Sequence, residues 1–192
     1  ALLDAGADIV DVGGESTRPG SDPVDPETEW ERIGSVIAAL AERELCVSVD
    51  TRHAEVAKRA LAAGASVVND VSGFRDAAMV DVVAKSGCGC VVMHMAGEPK
   101  TMQVDPSYED VVAEVRDYLA EQARVLEAAG VDRSRICIDP GPGFGKTPKQ
   151  TIELMRNLHE LVHLGYPVMV AASRKSYVGY AYKIEEPRER DV

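Results

Sequence analysis

The chain has 192 residues, of which 45% are hydrophobic and 28% charged, and its formal net charge is −11. This length and composition predict one globular domain, residues 1–192, with a substantial core. Because the chain is acidic and has no basic cluster, it is not expected to bind nucleic acid or an anionic membrane. No stretch approaches the roughly 18 apolar residues of a membrane span, and no signal peptide is visible. We therefore expect small-molecule ligands that are held by local groups.

The four cysteines bear on the compartment and on metal binding. Cys46 and Cys137 lie in apolar runs and are predicted to be small core residues. The segment Cys88-Gly89-Cys90 is too tight for the usual spacing of zinc ligands, and no paired histidines follow it. Structural thiols in a reducing environment are expected, which predicts a cytoplasmic protein.

Apolar runs rich in β-branched residues alternate with amphipathic helical patterns along the chain. The first six residues resemble the last turns of a helix that ends at Gly6. Strands are predicted at residues 8–12, 45–49, 66–68, 90–93, 135–138 and 167–171. Helices are predicted at residues 26–42, 53–63, 76–85, 107–129 and 149–164. Ser107, with Asp110 three residues later, predicts the start of the fourth of these helices. The tail after the last strand is mixed and polar.

Strict alternation of strands and helices predicts a parallel α/β sheet with both faces covered. Two architectures fit the spacing, an open doubly wound sheet and a (β/α)8 barrel. The Gly-x-Gly-x-x-Gly fingerprint that would favour the open sheet is absent after the first strand. A barrel requires another strand at each end, so we expect a fragment that lacks the first and last strands.

Polar or charged side chains follow every predicted strand. The carboxyl ends of parallel strands share one edge of the sheet, where ligands bind in both architectures. Each residue alone is more often a helix cap or a turn residue, but the whole set favours a ligand site. The residues are Glu15 to Pro19, Asp50, Asn69, His94, Asp139 and Ser173 to Ser176.

Asp50, Asn69 and Asp139 are predicted to converge from three strands as two carboxylates and an amide. A carboxylate accepts two parallel hydrogen bonds from an amidine-like group. The set therefore suits a planar ligand with an N–H-rich edge, such as a pterin or a guanine ring. Lys175, with its neighbours Arg174 and Ser176, is expected to supply positive charge for a carbonyl, carboxylate or phosphate group.

A glycine- and proline-rich segment, residues 139–147, follows the fifth predicted strand. Its glycines let the backbone approach a ligand closely, and its prolines stiffen it. The end of the segment resembles a nucleotide P-loop, but that motif needs a glycine where Pro140 stands. A plain turn capped by Asp139 and a ligand anchor are the remaining alternatives, and the other strand ends favour the anchor.

A covalent nucleophile is not evident. Ser16 and Ser173 lack the G-x-S-x-G turn. His94 could be a base, although a lone histidine at a strand end is more often a packed polar residue. From the residues alone, we expect an α/β enzyme that positions an N-heterocycle beside an anion.

Six segments, in order along nearly the whole chain, resemble the dihydropteroate synthase family. Each segment alone is only suggestive, but the combination is highly specific. The segments are VGGESTRPG (residues 12–20), SVDT (48–51), VNDVSG (68–73), MHM (93–95), DPGPGFGKT (139–147) and ASRKS (172–176).

The resemblance implies a (β/α)8 TIM barrel and a transferase of folate biosynthesis. Members of the family join (7,8-dihydropterin-6-yl)methyl diphosphate to 4-aminobenzoate and release pyrophosphate. Carried over by motif, Asp50, Asn69, Asp139 and Lys175 bind the pterin, with Lys175 at its carbonyl side. Catalytic roles are implied for Lys175, Asp50 and Arg18.

The resemblance also implies a second pocket, for 4-aminobenzoate, which sulfonamides occupy in the family. Its residues are Thr17, Arg18, Pro19, Phe144 and Ser176. The first three belong to a loop that is expected to close over the site.

The family's chemistry is thought to ionise the C–O bond first, so that the weak aniline nitrogen attacks a pterin-stabilised cation. Such a step needs Mg2+ on the pyrophosphate and carboxylates near the developing positive charge, but no covalent nucleophile. Two family motifs are absent, a first-strand motif with an asparagine for the metal and a last-strand Arg-x-His-Asp motif. We therefore expect the metal ligand to lie outside residues 1–192 and the fragment alone to be inactive.

Two other functions compete with the synthase. One is a methyltransferase of the same superfamily that passes methyl from methyltetrahydrofolate to a corrinoid protein. The Thr17-Arg18-Pro19 and Ser173 to Ser176 segments favour the synthase. The other is a non-catalytic homologue that binds pterin and acts through partners. The resemblance also implies a homodimer.

Overall fold

The computed structural model describes residues 6–18, 20–173 and 175–183. Its sheet has five parallel strands, and each lies beside the next in chain order. An unbroken order is that of a (β/α)8 barrel, whereas a doubly wound sheet reverses its order at a switch point. The barrel architecture is therefore confirmed. The strands are β1 (Ile9–Gly13), β2 (Cys46–Asp50), β3 (Val67–Asp70), β4 (Gly89–Met93) and β5 (Ile136–Asp139).

Seven α-helices cover the described part of the chain. Aspartates cap several of them, as Asp25 does when it accepts a hydrogen bond of 3.0 Å from the Thr28 amide. Thr147 and Gln150 form a capping box at the start of the fifth helix. The helices are α1 (Pro26–Ala41), α2 (Ala54–Ala62), α3 (Ala77–Ser86), α4 (Val111–Ala128), α5 (Pro148–Arg156), α6 (Leu158–Val162) and α7 (Ser176–Tyr182).

The structure corrects the predicted sixth strand. Residues 167–171 pair with β5 through a single bridge, between Ile138 and Val168. The Ile138 amide donates to the Pro167 carbonyl, and the Met169 amide donates to the Ile138 carbonyl, both at 2.9 Å. Within the described residues no strand pairs with the other side of this segment, so the ladder does not extend.

The structure also corrects several helix boundaries. The helix predicted from Ser107 begins at Val111, because Asp110 is the residue that caps it. The helix predicted over residues 149–164 is two helices, α5 and α6, which meet at Asn157. The tail after the last predicted strand, for which no helix was predicted, contains α7. The helix predicted before Gly6, the residues Pro19 and Arg174, and residues 184–192 lie outside the described residues.

The main core lies between the sheet and the helices that follow its strands. On α4, the buried residues recur every third or fourth position, which gives the helix one apolar face. That face packs against β4 and β5. The buried residues of α4 are Val111, Val115, Leu119, Ala123 and Leu126.

A second, smaller apolar cluster lies beyond the strands. It consists of Val71, Met93, Met95 and Met102, with Phe144 packed against it, and is called the methionine cluster below. Val71 follows β3 and Met93 ends β4, so the cluster supports the loops at the carboxyl end of the sheet. None of the described helices is both long enough and apolar enough to cross a membrane.

Candidate ligand site at the carboxyl end of the sheet

The strand register brings the predicted pterin-binding residues to one edge. Asp50 pairs with Gly13 on one side and with Asn69 on the other. Asp139 pairs with Met93, one strand further along. Asp50 and Asn69 are level in the register, whereas Asp139 lies two residues further toward the carboxyl end, since Cys137 is the residue level with Asn69 through Val91. All three lie at or next to the carboxyl ends of their strands, which is the ligand-binding edge of a parallel sheet.

Asn69 presents an acceptor that the described protein leaves unused. Its side-chain amide donates to the Asp11 carboxylate at 3.2 Å. Its Oδ1 is buried and has no hydrogen-bond partner in the described structure. A buried polar atom without a partner costs free energy unless a ligand or water satisfies it. This oxygen is thus suited to accept a hydrogen bond from a ligand N–H group.

The carboxyl group of Asp50 lies in an acidic environment. Burial, and after it the nearby charges of Asp11, Glu29, Asp70 and Glu15 in that order of importance, together raise its pKa to about 7. A ligand that donates N–H bonds to this group would favour its ionised form.

Asp139 is fixed by the glycine-rich segment that follows it. Its side chain is 1% exposed, and its Oδ1 accepts a hydrogen bond of 2.7 Å from the Gly141 amide. Burial raises its pKa, whereas the Gly141 bond, Lys175 and Lys146 lower it. Gly141 has a positive φ of 61°, and a Cβ there would collide with the His94 carbonyl oxygen. This close approach explains why a glycine is needed two residues after the carboxylate.

Lys175 and Phe144 lie together above this segment. The Lys175 ammonium donates to the Pro142 carbonyl at 2.8 Å and lies 4.5 Å from the centroid of the Phe144 ring. Burial lowers the pKa of Lys175, and Asp139 opposes this shift. The predicted pterin lysine and the predicted aminobenzoate aromatic residue are therefore in contact.

The loop after β1 is the outer part of the site. Arg18 is exposed and Thr17 is half-buried. The Arg18 carbonyl accepts a hydrogen bond of 2.8 Å from the Ser21 hydroxyl. Ser176, at the start of α7, is also exposed. Pro19 lies outside the described residues, so its predicted contact with aminobenzoate has no structural counterpart here.

One side-chain group among the described residues has the make-up of a metal site: Glu15, Glu29 and His53. His53 Nδ1 lies 2.6 Å from a Glu29 oxygen, and Arg52 forms an ion pair of 2.8 Å with Glu15. One Glu29 oxygen is buried without a hydrogen-bond partner in the described structure, but Mg2+ prefers an all-oxygen octahedral shell, whereas this group contains a histidine nitrogen. The described residues therefore do not form a fitting Mg2+ site.

His94 is a packed polar residue and not an exposed base, the other role considered for it from the sequence. It is 6% exposed, and its ring meets the Tyr118 ring edge-on at a centroid distance of 4.9 Å. Burial lowers its pKa to about 3, with smaller contributions from Lys146 and Arg75. A neutral, enclosed ring is poorly placed to act as a base near neutral pH.

Two residues of the site were missed by the sequence reasoning. Asp11 lies within β1, and its carboxylate accepts a hydrogen bond from the Asn69 side chain. The sequence signal that could have identified it is a carboxylate inside an apolar strand. Lys146 was considered only as part of a failed P-loop, yet it is 2% exposed and bonded beneath the glycine-rich segment. Nothing in its local sequence predicts burial, because the groups that enclose it come partly from another strand end.

A segment of a parallel barrel that collects carboxylates, an amide and a lysine at its carboxyl edge belongs to the class of ligand-binding (β/α)8 barrel domains. The more particular assignment follows from comparison with known proteins. The family described as Pterin binding enzyme matches residues 1–192, and the chain belongs to this family.

Relatives and solved structures agree with this assignment. The chain is 46% identical to dihydropteroate synthase of Neisseria meningitidis serogroup C over 93% of its own length and 64% of that protein. It is 41% identical to the Escherichia coli K12 enzyme, covering 67% of it. The chain therefore spans about two thirds of the length of these curated relatives.

The fold matches solved structures over almost the whole chain. Dihydropteroate synthase of Xanthomonas albilineans with 4-aminobenzoic acid has a TM-score of 0.93 and 42% identity, covering 99% of this chain and 68% of that one. The Burkholderia cenocepacia enzyme complexed with 7,8-dihydropteroate has a TM-score of 0.90 and 41% identity, covering 99% and 70%.

Proposed function

We propose that this chain carries the pterin-binding part of a dihydropteroate synthase. The reaction joins (7,8-dihydropterin-6-yl)methyl diphosphate to 4-aminobenzoate and gives 7,8-dihydropteroate and pyrophosphate. One observation carries the proposal: the buried Oδ1 of Asn69 has no hydrogen-bond partner among the described residues. Asn69 is paired with Asp50 in the sheet, at the edge where β5 ends with Asp139. Relatives that share 41–46% identity bear the same name.

The acceptors match the hydrogen-bonding edge of a pterin. Its ring N–H and amino groups are donors on one edge, and Asp139, Asn69 and Asp50 offer oxygens that can receive them. The Lys175 ammonium, close enough to Asp139 to affect its pKa, is the donor for the pterin carbonyl. Buried charge-assisted hydrogen bonds of this type provide both affinity and orientation.

The chemistry proposed here is a dissociative substitution. The bond between the pterin methylene carbon and the diphosphate oxygen breaks, and the electron pair leaves with pyrophosphate. The 4-aminobenzoate nitrogen then forms the C–N bond and releases a proton. Carboxylates at Asp50 and Asp139 face the ring on which positive charge develops, so they stabilise that charge. Arg18 is proposed to bind an anionic group of the substrates, while Lys175 donates to the pterin carbonyl.

The aminobenzoate is proposed to lie against Phe144. This ring is backed by the methionine cluster and contacted by Lys175, so it presents an apolar face beside a cation. Such a surface suits an aromatic carboxylate. Thr17, Arg18 and Ser176 are proposed to complete the pocket from the two adjoining loops.

Two features of the whole protein are proposed from the family resemblance alone, dependence on Mg2+ and a homodimer. Two others are proposed from the sequence, a single domain from its length and composition and a cytoplasmic location from its structural thiols. No mechanistic step is assigned to the metal, because the described residues do not form a site for it. Equilibrium sedimentation of the protein would test the dimer directly.

The first experiment measures pyrophosphate release by a form of the protein that is as long as its curated relatives. The assay mixture contains dihydropterin diphosphate, Mg2+ and 4-aminobenzoate. Release that requires 4-aminobenzoate is expected. Asp139→Asn replaces an acceptor by a donor that opposes the pterin N–H, and Lys175→Ala removes the cation. Each is expected to lower kcat/KM by about 100-fold or more.

Matched controls separate the site from general charge effects. Asp81→Asn on α3 and Lys149→Ala on α5 change exposed residues of the same types, and we expect activity close to that of the unaltered protein. If pterin binds but no pyrophosphate is released, the proposal is wrong and a non-catalytic binder is indicated. Methyl transfer from methyltetrahydrofolate would instead indicate the corrinoid methyltransferase.

A further inference from the structure

Lys146 belongs to the glycine-rich segment, residues 139–147, and its ammonium group lies beneath the rest of that segment, against the Gly141 and Phe144 carbonyls. Its side chain is 2% exposed, which makes it one of the largest fully buried side chains among the described residues. A lysine is almost never buried to this extent unless its ammonium group is paired. The groups around the Lys146 ammonium therefore show what it holds in place.

The ammonium group joins the segment to the end of β4. It lies 3.1 Å from the carbonyl oxygen of Gly141, 3.1 Å from that of Phe144, and 2.9 Å from His94 Nδ1. The His94 carbonyl lies further away, at 3.4 Å. Three N–H donors are thus directed at acceptors from two separate parts of the chain, which is the full capacity of a lysine.

The two carbonyls that Lys146 binds belong to the residues on which the ligand site depends. The Gly141 amide holds the Asp139 carboxylate at 2.7 Å, and the Phe144 amide donates back to the Gly141 carbonyl at 3.0 Å. Between them, the Pro142 carbonyl receives Lys175 at 2.8 Å. A shift of this segment would therefore displace Asp139, Phe144 and Lys175 together.

We infer that Lys146 is a positioning residue, which fixes Asp139, Phe144 and Lys175 in their ligand-binding arrangement from behind the site. This inference rests on the proposed function, because it names how the pterin site is held. Lys146 itself does not touch the substrates. Burial lowers the pKa of Lys146 to about 7, and the nearby Asp139 carboxylate opposes this shift.

The test uses a form of the protein that is as long as its curated relatives. Lys146→Met keeps a side chain of similar length but removes every donor, whereas Lys146→Gln keeps two donors and removes the charge. Lys149→Met, an exposed lysine three residues later, is the matched control. Binding of 6-hydroxymethyl-7,8-dihydropterin is measured by calorimetry, and amide hydrogen exchange is measured for residues 139–146.

We expect Lys146→Met to weaken pterin binding by at least about tenfold, because the Gly141 and Phe144 carbonyls lose their buried donor. Lys146→Gln should weaken it less, and Lys149→Met should not change it. Faster exchange should be confined to the segment, above all at the Gly141 and Phe144 amides. A merely stabilising lysine would instead speed exchange throughout the core.

Two results would overturn the inference: unchanged pterin affinity in a folded Lys146→Met, or exchange that rises equally in all strands. If Lys146→Met does not fold, Lys146→Gln decides in the same way. If the unaltered protein binds no pterin, the proposed function fails, but local exchange still reports whether Lys146 holds the segment.

Discussion

Individual residues at the carboxyl edge are arranged for a ligand at the expense of stability. Asp50 ionises among other carboxylates, and Asn69 buries an oxygen with no partner in the described structure. Neither arrangement helps the protein to fold, because both leave charge or polarity uncompensated. Such groups are expected at positions where the residue type serves ligand binding and does not serve packing of the core.

The carboxyl group of Asp50 should make stability depend on pH. Its pKa is raised from 3.8 to about 7 in the folded protein, so the folded state binds more protons than the unfolded state between these values. The free energy of unfolding therefore falls as pH rises through this window. Asp50→Asn cannot ionise and should be more stable at about pH 8, on the order of 2 kcal/mol.

Urea denaturation at about pH 4 and about pH 8 measures this difference. The gain from Asp50→Asn should shrink at the lower pH, where the native carboxyl group is protonated in the folded state. Asp81→Asn, at an exposed position, should show little change at either pH. Equal stability of Asp50→Asn and the unaltered protein at the higher pH would contradict the prediction.

Among the elements, α4 shows how a capping residue decides a boundary. Both Ser107 and Asp110 are residue types that cap helices, and either could begin this helix. The Asp110 carboxylate accepts hydrogen bonds of 3.0 Å from the amides of Val112 and Ala113. Glu114 in the first turn binds the Asp110 amide in return, which completes the cap.

The two candidate caps provide a matched pair of variants. Asp110→Ala should lower the free energy of unfolding by about 1 kcal/mol, since the first amides of α4 lose their acceptor. Ser107→Ala, at an exposed position outside the helix, should have almost no effect. Urea unfolding midpoints, compared between variants with the same m-value, would test both substitutions. A larger effect of Ser107→Ala would show that the helix begins earlier in solution.

At the scale of the whole molecule, the described sheet is a segment of a barrel and not a closed one. β1 pairs with β2 on one side only among the described residues, and Ile9 in this strand is 54% exposed. A strand edge of this kind tends to associate with other chains until another strand covers it.

We predict that residues 1–192 alone do not release pyrophosphate from dihydropterin diphosphate and 4-aminobenzoate. A protein of the length of its curated relatives should do so, because the two family motifs expected to supply the anion and metal ligands are absent from residues 1–192. Both proteins are compared at equal concentration in the same assay. Comparable turnover by the two would show that the described residues suffice.

Much of the architecture could be predicted from local pattern. Five of the six predicted strands are present, and so is their alternation with helices. Both could be predicted because the spacing of apolar residues and the position of turn residues are local properties of the sequence. The sixth predicted strand, residues 167–171, is a single bridge. Its apolar composition allows a strand, but pairing depends on partners that composition does not specify.

For the site, the sequence determined the type of residue and the tertiary structure determined its partners. Asp50, Asn69 and Asp139 could be predicted because the carboxyl ends of parallel strands must share an edge. Asp11 could have been noticed as a carboxylate inside an apolar strand, but its partner, Asn69, lies far along the chain. Lys146 could not be predicted, since its buried ammonium group is enclosed partly by a residue distant in the chain, His94. Hydrogen bonds and burial are properties of the folded arrangement, and only the tertiary structure decides them.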